Sequence, residues 1–542
     1  MTYRLLPDGN GKRGDKEVDV QRYLLGLVLS TWVLSSLTAC QPQPNTLTFH
    51  ADDGDKRRYQ VYSDFTVNAD SGDEQHFRQT LLLEYQVQAD DDYQIQVRPR
   101  YMALNSNGRQ FSSTDGDQGA DRYARDFVEQ GLTLTVDADS GAVSDLQFHA
   151  DLPSDKPTPE KLLALFRDNL IATPTVGQGI KLERGASQPF HISDQLPELT
   201  LTVQQVFEHE VVFTASGEHE QQQLFAIIVS DRDSGWLKRG SLVSKRVREQ
   251  QQIRTVMSIF QADSGYAMNL DSLARAENIP LYDSLSVEKV LQSDSADAEH
   301  MLPSASGRLE KLDTTLLLSY SHQAPFSHHN GRIELDNIEL FDKNGAPLPL
   351  AIQPLESMTV PDYGNEYRND GSNNAITLTE LLPLGWHDKA LMPLYAFSDD
   401  GESPSGYATA TVNWYPSHSE VKTLTLGDDV TDFNIGRARI EAKPNSDDGG
   451  YDVLVQSSRE HQLILVSDGI SGKFNYRRLD TAPSWISDAE ARLMAMLVND
   501  WFPMDYHIRL DDPKQQQLKI AIVSSAEQAA DSREVKFEVK RD

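Results

Sequence analysis

Leu83, Tyr85 and Val87 alternate with Glu84, Gln86 and Gln88, and a few residues later Tyr93, Ile95 and Val97 alternate with Gln94, Gln96 and Arg98. Successive side chains of an extended strand point to opposite faces, so this period of two gives one apolar and one polar face. A helix cannot use the pattern, because its apolar stripe recurs every three or four residues. Both segments are expected to be half-buried antiparallel strands. Ala89-Asp90-Asp91-Asp92 between them has the composition of a turn.

The punctuation of the chain agrees with this reading. Asp-Ser-Gly recurs at 70–72, 139–141, 233–235 and 263–265. Asp and Ser accept backbone hydrogen bonds in a turn and Gly supplies positive φ, so each copy reads as a hairpin tip. Helices are few. Thr158-Pro159-Glu160 carries a cap, a Pro at the first helical position and an acid in the first turn, followed by Leu162, Leu163, Leu165 and Phe166. Ser487-Asp488-Ala489-Glu490 is a capping box, with Leu493, Met494, Met496 and Leu497 behind it and Pro503 as its stop.

The chain is therefore expected to be mainly β, with several domains built as antiparallel sheets or β-sandwich modules and a few short helices. Residues 47–291 form a β-rich N-terminal region of one or two domains. Residues 292–308 are small, acidic and poor in apolar side chains, and read as a linker. A sandwich-sized stretch of β pattern follows at 309–416. Residues 417–542 read as a C-terminal α+β domain.

The chain has 542 residues and a single cysteine, Cys40. Intramolecular disulfides, thiol catalysis outside that position and cysteine-ligated metal centres are thereby excluded. A net charge of −32 opposes binding to nucleic acid, which depends on clustered Lys and Arg.

Cys40 closes Leu37-Thr38-Ala39-Cys40, behind the apolar run Tyr23 to Ser36 with Arg22 on its flank. Such a run is short for a membrane span and is typical of an export signal. Leu-Thr-Ala-Cys resembles the lipobox of bacterial lipoproteins. The resemblance implies a signal peptide at 1–39, cleavage before Cys40, lipid on that cysteine and a tether at 40–46. In that family Gln41, rather than Asp, after the cysteine implies the outer membrane. The implied location is the periplasmic face of an envelope membrane, with the membrane as one partner and an envelope protein or glycan as another.

The chemistry-bearing motifs are sparse. Gly-x-Ser-x-Gly, His-Glu-x-x-His and Gly-rich phosphate loops are missing from the sequence. Asp137-x-Asp139-x-Gly141 lacks the later ligands of a calcium loop and reads as a turn. His322, His328 and His329 form the densest histidine group and are the candidate metal ligands. They read as a solvated loop. Glu208-His209-Glu210 and Glu218-His219-Glu220 are expected to approach each other if the apolar residues between them form a hairpin. Tyr363, Tyr367 and Arg368 lie in a long polar loop and could stack on a sugar or peptide. No catalytic residue and no cofactor is assigned. A non-catalytic binding, assembly or structural role is expected. The alternative is an envelope hydrolase acting on glycans or peptides through paired carboxylates or a His-bound metal.

Overall fold

The computed structural model describes residues 46–539 apart from 113–129, 150–174, 191–197, 262–278, 281–296, 324–330, 353–359, 362–374, 377–388, 397–405 and shorter stretches, mostly at turns. The fold is mainly β, with several predominantly antiparallel sheets.

Among the described residues, the largest sheet has twelve strands. Its first half is β1 (Lys56–Ala69), β2 (Glu74–Ala89), β3 (Tyr93–Ser106), β4 (Arg109–Ser112), β5 (Leu132–Val136) and β6 (Val143–Phe148). Its second half is β7 (Ser187–Phe190), β8 (Leu199–Val206), β9 (Glu210–His219), β10 (Gln222–Asp231), β11 (Leu237–Arg248) and β12 (Gln251–Gln261). The order is β6-β5-β3-β2-β1-β12-β11-β10-β9-β8-β7, with β4 beside β3. Each half is thus a meander of near neighbours. They join where β1 pairs with β12, from Tyr59 opposite Gln261 to Ala69 opposite Gln251.

The period-two reading of 83–88 and 93–98 holds. Leu83, Tyr85, Val87, Ile95 and Val97 are buried on one face, and β2 meets β3 with Ala89 opposite Tyr93. That face continues through Leu132, Leu134, Leu201, Phe213, Ala226 and Met257 into one core. Strands from both halves of the sheet contribute to this core, so the apolar face is covered largely by the sheet itself.

The central parts of β9 to β12 are buried on both faces. Val212, Phe225, Ile227, Val229, Val243 and Val256 point away from the first core and pack against the helix Asp488–Asn499 through Ala491, Met494 and Val498. Tyr62 and Phe260 extend this layer to Leu493, Met496 and Leu497. The predicted capping box forms as expected: the Ser487 amide donates to Glu490 Oε2 at 2.8 Å. The Thr158 helix lies outside the described residues.

Of the Asp-Ser-Gly tips, 233–235 is described and closes the β10–β11 hairpin. Asp231 accepts from the Ser234 amide at 2.9 Å and its hydroxyl at 2.8 Å, and Gly235 takes φ +71°. A Cβ on Gly235 would lie 2.6 Å from the Thr48 carbonyl oxygen, so glycine also permits the close approach of the N-terminal segment. The other three copies fall outside the described residues, though those at 70–72 and 139–141 lie between strands that pair.

An eight-stranded sheet takes strands from Ser306–Leu312 to Tyr407–Tyr415 and adds Asp531–Val539 from the far end of the chain. Asp531–Val539 runs parallel to Ser306–Leu312 and antiparallel to Tyr407–Tyr415. The stretch read as a linker, 292–308, contains the helical turn Ala298–Met301 and the first residues of a strand. Met301 and Leu302 are fully buried in the core of this sheet, because two adjacent apolar side chains suffice to pin a chain whose other residues are polar.

A six-stranded sheet ends on Ile279–Pro280, paired to Ile470–Tyr476. It faces the three-stranded sheet of Ser417–Thr425, Gln517–Ser525 and His461–Val466 across a shared core that includes Ile440, Val455, Leu463 and Ile520.

Candidate functional site

Among the described residues, the densest cluster of buried charge lies where the large sheet, the helix Asp488–Asn499 and the six-stranded sheet meet. Glu210 opens β9 and is 6% exposed. Arg239 on β11 donates to both its oxygens, Nη1 to Oε1 and Nη2 to Oε2, each at 2.9 Å. Lys238 Nζ lies 3.0 Å from Oε1. Arg437, in the turn between the strands Thr431–Ile435 and Ala438–Pro444, pairs with Oε2 and covers the Phe207 ring at 4.1 Å.

The same two arginines close the helix. Arg239 Nε donates to the Leu497 carbonyl at 2.6 Å, and Arg437 Nη2 to the Val498 carbonyl at 3.0 Å. Carbonyls in a last helical turn lack intrahelical partners and carry the negative end of the helix dipole, so cations are favoured there. Burial alone would raise the Glu210 carboxyl. Hydrogen bonds from Arg239, and the charges of Arg239, Arg437 and Lys238, outweigh burial and hold it well below the usual carboxylate range.

The other end of the helix is fixed similarly. Arg254 on β12 donates from Nε to Glu490 Oε1 at 2.7 Å, and from Nη2 to Oε2. Its guanidinium lies 5.9 Å from the Trp485 ring centroid. Burial opposes ionisation of Glu490 too, but Arg254 and Ser487 lower its carboxyl overall. These carboxylates are engaged in holding elements together.

Two further constellations carry chemistry. On the outer face of the six-stranded sheet, burial raises the Asp505 carboxyl and the neighbouring Asp480 and Asp452 add to this, against Arg477. His507 Nδ1 lies 2.8 Å from Asp452 Oδ1. That group can exchange protons, but it lies on an open sheet face. On the three-stranded sheet, His461 Nδ1 lies 2.9 Å from the Ser524 hydroxyl, between two register partners.

The residues singled out from sequence fare differently. Cys40, Tyr363, Tyr367, Arg368, His328 and His329 lie outside the described residues. His322 is described and 7% exposed, so this member of the histidine group is packed rather than solvated. Among the described residues no three His, Cys, Asp or Glu side chains gather as a metal site. The two acidic-histidine triplets do not form a hairpin. Glu210–His219 is one continuous strand, which puts the triplets at its opposite ends, about 30 Å apart.

Sequence reasoning missed Arg239, Arg254 and Arg437. The available signal was weak: Arg239 lies between Leu237 and Leu242 and Arg254 beside Ile253 and Val256, and a cation that is buried with such residues needs a carboxylate partner.

No known protein family matches the chain, and no curated protein matches it in sequence. Among solved structures, lipovitellin is similar over 39% of this chain, at 9% identity and a TM-score of 0.27; the match spans 25% of the lipovitellin chain. A putative AttH from Nitrosomonas europaea aligns over 90% of this chain and 99% of its own, at 8% identity and a TM-score of 0.14. OccK2 of Pseudomonas aeruginosa aligns over 88% and 98%, at 7% identity and a TM-score of 0.10. Likenesses this distant define no function for the chain.

Proposed function

We propose that this chain is a lipid-anchored protein of the bacterial envelope, held through Cys40 at the periplasmic face of the outer membrane, with a non-catalytic binding or assembly role. The observation that supports this reading is the seating of the segment that follows the lipobox-like motif. Six residues after Cys40 the chain is already fixed. Thr46 bridges Lys181, the Leu47 amide donates to the Ile180 carbonyl at 3.0 Å, and Leu47 and Phe49 are buried. Six extended residues reach about 20 Å at most, so a lipid on Cys40 would hold this end of the large sheet against the membrane surface. The buried Arg–carboxylate clamps suit a rigid scaffold, because their charged groups are spent on fixing one sheet to another.

Labelling with a palmitate analogue tests the anchor. The wild-type chain is expected to incorporate label and partition with detergent, and Cys40→Ser to do neither. A Ser variant that matures to the same mass and still enters the detergent phase would refute the proposal.

A further inference from the structure

We propose that Arg57, Thr175 and Trp236 form a carboxylate-binding site at the end of the large sheet where the N-terminal segment is seated. Thr175 pairs with Trp236 through an isolated antiparallel bridge, and the two residues are 2% and 1% exposed. The Arg57 guanidinium lies 5.6 Å from the Trp236 ring centroid. Arg57 Nε, Thr175 Oγ1 and Trp236 Nε1 are all buried, and none has a hydrogen-bond partner among the described residues.

The three atoms belong to neighbouring residues: Thr175 is the bridge partner of Trp236, and the Arg57 guanidinium lies beside its ring. A buried donor without an acceptor is destabilising, and folded proteins seldom tolerate it without a reason. The contrast within this molecule is direct. Arg239, Arg254 and Arg437 each meet a carboxylate. Arg57 has a ring beside it and no carboxylate partner among the described residues.

The chemistry selects the ligand. The indole N–H and the guanidinium only donate, the hydroxyl can donate, and together they carry one positive charge. The complement is a group with several acceptor lone pairs and one negative charge, which is a carboxylate. A guanidinium over an aromatic ring keeps its edge N–H groups free for two parallel bonds to such a group. Phe49 packs at 5.1 Å from Trp236 and 5.2 Å from Tyr93, so the carbon adjoining the carboxylate would meet aromatic surface. The site takes either a small free carboxylate or the head of a fatty acid. It gives the binding reading above a ligand class and rests on that reading. Cys40→Ser leaves these residues untouched, so loss of anchoring and loss of binding are read separately.

The test follows the indole N–H resonances of the full chain after signal removal, with acetate, octanoate and inorganic phosphate as probes. The Trp236 signal is the one that disappears in Trp236→Phe. It is expected to move, saturably, with octanoate. Movement with acetate as well assigns the site to small carboxylates, and movement with octanoate alone to an amphiphile. Arg57→Lys keeps the charge but loses the planar fork, and should weaken binding about tenfold; Arg57→Gln should weaken it about a hundredfold. The Lys variant serves as the folded control if the Gln variant is unstable. No shift with either carboxylate at millimolar concentration overturns the proposal. So does an undiminished shift in both Arg57 variants, or tighter saturation by phosphate than by either carboxylate.

Discussion

Glu210 is one residue on which three parts of the molecule depend. Removing its charge leaves Arg239, Arg437 and Lys238 crowded together in a largely buried place. Glu210→Gln is expected to cost about 3–5 kcal/mol at neutral pH, measured by urea unfolding. The pH dependence has a definite sign. A carboxyl whose folded-state pKa is depressed contributes stability in full above its unfolded value, about 4.3, and loses it as pH falls towards the folded value. The gap between wild type and variant should therefore narrow as pH drops from 7 towards 3. A gap that stayed constant would show that Glu210 acts through packing alone. The sequence offered Glu210 only as part of a Glu-His-Glu triplet. Its partners Arg239 and Arg437 come from distant segments, and no local pattern marks three positions that converge only after the sheets have formed.

Among the elements, the helix Asp488–Asn499 was legible and its role was not. The capping box, the Leu and Met stripe and the stop at Pro503 all follow from local rules, and the Ser487–Glu490 bonds are present. Glu490 also serves Arg254, which local rules do not disclose. Ser487→Ala should cost about 1 kcal/mol, the usual value of a lost cap. Arg254→Met should cost more, because Glu490 is then left buried without its cation. Denaturant midpoints for the two variants decide this, and the reverse ranking would mean that the cap carries the helix and the clamp is incidental. Strands show the same division. Period two revealed β2 and β3, where one face meets water. In β9 and β10 every position from Val211 to Ala215 and from Leu224 to Ser230 is buried, so the alternation that identifies a strand is absent.

At the scale of the whole molecule, sequence order and spatial order diverge. Domain limits drawn along the chain presume that neighbours in sequence pack together, yet Asp531–Val539 completes a sheet begun at Ser306–Leu312. Met301 and Leu302 lie in that sheet's core, within a stretch whose composition reads as a linker. Truncation after residue 526 removes the buried Val535 and Phe537 and opens two strand edges. Limited proteolysis of that variant should cut within 306–415 while the large sheet persists. Unchanged resistance of 306–415 would show that the last strand is dispensable.

The helix on the large sheet is made more than two hundred residues after the strands that it covers. Until it arrives, Val212, Phe225, Ile227 and Val243 face water as a contiguous apolar patch on a sheet that is otherwise complete. Contacts of such high sequence separation place the chain among slow folders, because loop closure must be met before the contact is gained. A nascent chain therefore passes through a stage with aggregation-prone surface exposed. Completion of this layer waits for the C-terminal residues that form the helix.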